Sequence, residues 1–225
     1  MANALDNDVR LKALLERLHA ESDAQTPALM AFVQDHGFRS VSGTDADVAK
    51  GRGFWADKMV ALEPVKARFC YSLSRALNAK RIVECGTSFG VSTLYLAAAV
   101  RDNGGGTVIA TEYEPSKAAI AREHFAQAGL SQFVDLREGD LRETLKRIEA
   151  PVDFLLMDIW TPLARPAIEL IGPHLRKGAI VVADNTDTYR IAYGDYFAYL
   201  NDPANGFSTM TLPFDGGLEM SVKTD

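Results

Sequence analysis

Arg81-Ile82-Val83-Glu84-Cys85-Gly86-Thr87-Ser88-Phe89-Gly90-Val91 decides the fold. Ile82 to Cys85 reads as a short buried strand that Gly86 ends, and the apolar run from Val91 to Val100 reads as the helix that follows. The alternation repeats downstream. Strands are expected at 107–112, 133–137, 152–158 and 179–184. Helices are expected at Pro115–Ala128, through Leu141, Leu145 and Ile148, at Pro162–Leu175, and at about Thr188–Leu200. The run Ala179-Ile180-Val181-Val182-Ala183 is almost wholly apolar, as a strand covered on both faces must be. Five strand–helix alternations imply right-handed crossovers and a parallel, doubly wound sheet. Phe207–Leu212 and Leu218–Lys223, joined by Pro213-Phe214-Asp215-Gly216-Gly217, predict an antiparallel hairpin at one edge. The fold class is therefore α/β, with a mostly parallel seven-stranded sheet, a C-terminal hairpin and N-terminal helices.

Ahead of this core, Leu11, Leu14, Leu15 and Leu18 repeat at helical spacing. Pro27 opens a second helix through Val33, which Gly37 ends. Residues 37–53 are rich in Gly, Ser, Thr and Asp and read as a loop or lid. A third helix is expected from about Asp57 to Leu77, with Pro64 as a break or kink. We read one domain over 1–225, with 1–56 as a helical extension and 57–225 as the core.

The composition excludes several classes. Of 225 residues, 47% are hydrophobic and 24% charged, so the chain can bury a core and is not disordered. The net charge of −6 disfavours a general nucleic-acid or acidic-membrane binder, and neither partner is expected. Two cysteines, Cys70 and Cys85, make no disulfide framework. Met1–Leu18 lacks the apolar stretch of a secretory signal, and no window reaches the length of a membrane span. A cytoplasmic protein is expected.

In a doubly wound sheet, ligands bind beyond the carboxyl ends of the strands. Four such ends carry acids or an amide here: Glu84, Glu112, Asp158 and Asp184-Asn185. Gly86 and Gly90 let backbone approach a ligand, and Ser88 and Ser92 offer hydroxyls. A dinucleotide fingerprint would need glycine where Ser88 stands. Glu112, 26 positions after Gly86, can accept both hydroxyls of a ribose; Glu114 is the rival. Asp158, Asp184 and Asn185 form an all-oxygen set suited to a hard divalent ion such as Mg²⁺. As plain structure, Asp184-Asn185 would cap the next helix.

These segments, in this order, resemble the class I S-adenosylmethionine-dependent methyltransferases. The resemblance is closest to the catechol and caffeoyl-CoA O-methyltransferase-like family. Glu84 to Ser92 is similar to that family's first motif and Thr111-Glu112-Tyr113-Glu114-Pro115 to its ribose motif. Glu138-Gly139-Asp140-Leu141 is similar to its adenine loop. Asp158-Ile159-Trp160 resembles its metal and adenine segment, Ala183-Asp184-Asn185-Thr186 its metal pair, and 212–218 its hairpin. The resemblance implies S-adenosylmethionine held by Leu62, Glu84, Gly86, Thr87, Ser88, Ser92, Glu112, Tyr113, Gly139, Asp140, Leu141, Asp158 and Trp160. It implies Mg²⁺ on Asp158, Asp184 and Asn185, a small-molecule hydroxyl acceptor, and a homodimer. Asp158 and Lys58 are the candidate catalytic residues.

Two positions depart from the family pattern. Thr161 stands where the family often has its basic Lys, and Gly216 where it often has Asp. Lys58, Asp187 and Tyr189 are alternative bases. The departures leave open a metal-independent methyltransferase acting on a carboxyl, hydroxyl or amine. A nicotinamide oxidoreductase and a non-catalytic binder of S-adenosylmethionine are the remaining alternatives. Phe54, Trp55, Tyr189, Tyr193, Tyr196 and Phe197 are candidates for an aromatic acceptor pocket.

Overall fold

The structure is a computed structural model that describes residues 4–37, 42–149 and 151–225. Seven strands form one sheet: β1 (Arg81–Cys85), β2 (Thr107–Glu112), β3 (Val134–Glu138), β4 (Val152–Met157), β5 (Leu175–Asp184), β6 (Phe207–Leu212) and β7 (Leu218–Lys223). Their order is β3-β2-β1-β4-β5-β7-β6. The first five run parallel, and β7 pairs antiparallel with both β5 and β6. The chain leaves β1 towards β2 on one side and later returns to β4 on the other, so the ends of β1 and β4 flank the point where strand order reverses.

Helices cover both faces, and the pleat decides which side chain goes where. Ile82, Val108, Phe154, Leu156 and Val182 point into one apolar cluster. That face is covered by α1 (Ala4–Asn7), α2 (Val9–Asp23), α5 (Pro64–Ala76), α6 (Val91–Asp102) and α7 (Pro115–Ala128). Val83, Cys85, Ile109, Leu155, Met157, Val181 and Ala183 point the other way. There they meet α8 (Leu141–Thr144), α9 (Thr161–Ile171) and α10 (Gly194–Asn201). The N-terminal α2 buries Leu11, Leu14, Leu15 and Leu18 at the spacing read from the sequence.

Several boundaries differ from expectation, each for a local reason. The stretch 37–53 is not wholly a loop. After α3 (Thr26–His36), Thr44 and Asp47 form a reciprocal capping box that starts α4 (Asp45–Trp55), and 38–41 lie outside the described residues. The helix expected from Asp57 begins at Pro64, which sits at its first turn rather than kinking it, because that position needs no N–H. Residues 58–63 form neither helix nor strand. The helix expected over 141–148 stops at Thr144. The helix expected from Thr188 begins at Gly194, after a series of turns. β5 starts at Leu175, four residues early, with its register to β4 shifting between Val152 and Phe154.

Candidate functional site

The loop after β1 is the centre of the site. Gly86 has φ +96, and a Cβ there would run into the Asp158 carbonyl, so the loops after β1 and β4 pack backbone to backbone. Ser88 is left-handed at φ +49, an unusual conformation for a residue with a side chain. Its amide N–H donates to Glu112 Oε2 at 2.6 Å, tying the first loop to the end of β2. Glu112 Oε1 accepts from the Glu114 N–H at 2.8 Å. Backbone N–H groups thus hold the carboxylate, whose oxygens carry about four lone-pair sites between them. Burial raises the Glu112 carboxyl above its ordinary range, opposed by those N–H donors and by Lys117.

A cleft beside this loop is lined by Met59–Leu62, Gly86–Phe89, Val91, Ser92 and Asp158. It brings together the expected Leu62, Gly86, Thr87, Ser88, Ser92 and Asp158. Ser88 Oγ is buried and has no hydrogen-bond partner among the described residues. An orphaned hydroxyl beside the two-donor carboxylate of Glu112 fits a polar ligand with hydroxyl and ammonium or carboxylate groups, as S-adenosylmethionine is.

Glu84 takes a different place. It is fully buried and accepts from Thr87 at 3.1 Å, Ser92 at 2.6 Å and the Thr93 hydroxyl. Burial, only partly offset by these donors, pushes its carboxyl up to about 7. Glu84 therefore holds the loop and the start of α6 from beneath. Asp140 caps α8 and is clasped by the Arg142 guanidinium. Gly139, at φ +117, donates its N–H to the Glu112 carbonyl, and Leu141 is core. Tyr113 is half exposed, and the Arg52 guanidinium of α4 stacks 3.9 Å from its ring while pairing with Glu114 at 3.3 Å.

Trp160 is half-buried at the start of α9 and packs edge-on against Trp55, with centroids 5.4 Å apart. Phe54 and Phe32 extend this aromatic group. Tyr193 and Tyr196 belong to the core rather than to a pocket. Lys58 is held by its neighbour Asp57 and lies 4.9 Å from the Phe54 ring.

The expected metal set is arranged against an ion. Met157 and Ala183 are register partners, so Asp158 and Asp184 are neighbours, as the sequence implies. Both Asp184 oxygens are engaged. Lys66 Nζ lies 2.7 Å from Oδ1, and Asn185 Nδ2 donates to Oδ2 at 2.8 Å. Asn185 is left-handed at φ 57, and its Oδ1 faces the hairpin turn, 2.5 Å from where a Gly216 Cβ would stand. Asn185 thus presents its amide nitrogen, and not its oxygen, to Asp184. Among the described residues no cluster of three His, Cys, Asp or Glu could hold an ion. As arranged, Asp158 alone of the three has unengaged oxygens to offer Mg²⁺.

Lys66 was not among the expected site residues. Its side chain is wholly buried, and it also approaches Glu63 Oε2 at 3.1 Å. Burial works to lower it, but Asp184 and Glu63 hold it above its ordinary value. Burial and the neighbouring Asp184 and Glu84 charges raise Asp158 well above the usual carboxylate range. Among the described residues no hydrogen-bond donor reaches the Asp158 carboxylate, and the Lys66 charge opposes its rise. Lys66, Ala67, Cys70, Tyr71 and Ser74 share the buried stripe of α5, and a lysine on such a stripe was the available signal.

A methyltransferase-domain family profile matches residues 83–186. A catechol O-methyltransferase of Niastella koreensis is 31% identical over 130 residues, covering 56% of this chain and 58% of that protein. A protein named "Putative O-methyltransferase" in Mycobacterium sp. (strain KMS) is 32% identical over 163 residues, covering 70% of this chain and 72% of that one. The chain thus spans under two thirds of the catechol O-methyltransferase and more than two thirds of the second relative. The crystal structure of an O-methyltransferase from Bacillus cereus, in complex with SAH, superposes with a TM-score of 0.68. It shares 20% identity and covers 92% of this chain and 100% of its own, a likeness of fold.

Proposed function

This chain belongs to the O-methyltransferase family of class I methyltransferases, and from that premise we propose that it methylates an oxygen of a small molecule with S-adenosylmethionine. The observation that carries the reading is the Ser88–Glu112 pair: an orphaned hydroxyl and a buried carboxylate with free lone pairs, joined at the ends of β1 and β2. In this reading Glu112 takes the ribose hydroxyls, and Ser88 and the loop amides take the amino-acid end. Leu62 flanks the cleft, and Gly139 and Asp140 border the adenine. Trp160 covers the ring.

S-adenosylmethionine supplies a methyl group on a sulfonium. Asp158 accepts the proton of the acceptor hydroxyl as the new O–C bond forms. The electron pair of the broken C–S bond stays on sulfur. With no hydrogen-bond donor among the described residues on it, the Asp158 carboxylate keeps its oxygens available for that proton. Thr161, whose hydroxyl is buried without a partner among the described residues, stands where the family often has Lys. The edge-on Trp55 and Trp160 rings support a flat acceptor. The metal-independent form of the reaction is the one we carry forward, because both Asp184 oxygens are engaged. Among the described residues no helix is long and apolar enough to cross a membrane. A homodimer is carried forward as part of the proposal, and sedimentation tests it.

Calorimetric titration with S-adenosylhomocysteine tests the cofactor half of the reading. One site per chain supports it. No binding, with NADH binding instead, replaces it with the oxidoreductase.

A further inference from the structure

We infer that the Lys66 ammonium is the resident cation of this site, standing where a divalent ion would otherwise bridge Asp158 and Asp184. The inference rests on the methyltransferase reading for its chemical meaning, but its geometry stands alone. Lys66 reaches the site from the first turn of α5, which Pro64 starts and whose buried stripe aligns it with Ala67, Cys70 and Tyr71. Its stem is fully enclosed, so the ammonium cannot leave for water without the helix moving.

Three distances fix the argument. Nζ is 2.7 Å from Asp184 Oδ1 and 3.1 Å from Glu63 Oε2, and Asp184 Oδ2 is taken at 2.8 Å by Asn185 Nδ2. A Mg²⁺ ion needs oxygens at about 2.0–2.1 Å in an octahedron. Placed on Asp184, it would sit within about 4 Å of a buried ammonium, where like charges repel strongly in a low dielectric. The third expected ligand oxygen, Asn185 Oδ1, faces Gly216. The family pattern often has Asp at that turn; here the glycine leaves the space that the Asn185 oxygen fills.

The ammonium is also not used up. Nζ pairs with Asp184 and Glu63, which take two of its donors. A protonated lysine carries three donors. One aimed past Asp184 towards Asp158 would meet an acceptor oxygen placed there and steady the negative charge it gains on losing its proton. That is the electrostatic part of a metal's work, done by a covalently fixed charge.

The test uses the full-length chain, freed of metal with a chelator and saturated with S-adenosylhomocysteine, with Mn²⁺ as the probe. Mn²⁺ is added to about 1 mM, the weak end of protein sites for hard divalent ions. The paramagnetic resonance signal of free Mn²⁺ should remain undiminished for the wild type. Lys66→Ala, which removes the cation and opens space, should bind about one Mn²⁺ per chain. Stoichiometric Mn²⁺ binding by the wild-type protein overturns the inference, and this arm needs no variant to fold. Failure of S-adenosylhomocysteine to bind would instead overturn the methyltransferase reading, and the Mn²⁺ arm would still decide the role of Lys66.

Discussion

The Ser88 amide and the Glu112 carboxylate are joined at 2.6 Å across the ends of two adjacent parallel strands. The bond holds Ser88 at a positive φ and leaves its hydroxyl buried and unpaired. Glu112 is thus fixed from one side by backbone and open on its remaining lone pairs. Glu114, the rival for the ribose, is instead drawn outward to Arg52.

Glu112→Ala is therefore expected to weaken S-adenosylhomocysteine by about 1.5–3 kcal/mol, the cost of losing a charged hydrogen-bond partner. Glu114→Ala should leave affinity within about 0.5 kcal/mol. Calorimetry on both variants reads the difference, and the reverse ranking would move the ribose to Glu114.

Ser88→Gly separates strain from binding. Glycine adopts the left-handed conformation freely, so the variant should be as stable as the wild type or up to about 1 kcal/mol more so. It also loses the orphaned hydroxyl, so S-adenosylhomocysteine affinity should fall by about 1 kcal/mol. Thermal unfolding and calorimetry check the two halves; a loss of stability would show that the serine side chain supports the loop.

Trp160→Ala should raise the dissociation constant of S-adenosylhomocysteine while leaving the far-ultraviolet dichroism and unfolding midpoint close to wild type. The indole is half-buried and packs edge-on against Trp55 without entering either apolar cluster. Collapse of the fold would mean that the aromatic group of Phe32, Phe54, Trp55 and Trp160 is structural.

Glu84 sets a pH dependence of stability. Burial raises its folded value to about 7, from 4.5 for the free group. A raised carboxyl folds best when protonated. Its contribution is complete below the unfolded value and is lost as pH rises through the folded one. The loss between about pH 4.5 and 7 is on the order of 3 kcal/mol. Glu84→Gln keeps an oxygen for Ser92 and Thr93 and carries no charge. Denaturant titrations should show a flatter pH profile for it in that window; an unchanged profile would mean that Glu84 ionises freely when buried.

Much of this was legible in the sequence. The alternating runs of β1, β2, β4 and β5 fix a parallel sheet, and strand order alone then sets Asp158 beside Asp184 and Glu112 beside the first loop. The less legible parts depend on packing. Residues 58–63 carry a helix-compatible composition but form no helix, and Met59–Leu62 line the cleft, because Pro64 starts the helix instead of bending it. The capping box of Thr44 and Asp47 is a short signal inside a polar stretch that otherwise reads as loop. Composition also favours Mg²⁺ on two acids and an amide. It does not reveal that a lysine more than a hundred residues upstream reaches Asp184, since only the fold brings α5 over the end of β5. Tyr193 and Tyr196 show the converse, aromatics at helical spacing that serve the core.

Methyl transfer from S-adenosylmethionine to oxygen can be followed directly. The direct measurement incubates the protein with methyl-labelled S-adenosylmethionine and a panel of small phenols, catechols and carboxylic acids, in chelator and in Mg²⁺, and locates the label by mass spectrometry. Label is expected on an acceptor oxygen, at similar rates in both conditions, and is expected to be lost in Asp158→Asn. Label on nitrogen or carbon, or no transfer to any acceptor while S-adenosylhomocysteine binds, would contradict methyl transfer to oxygen.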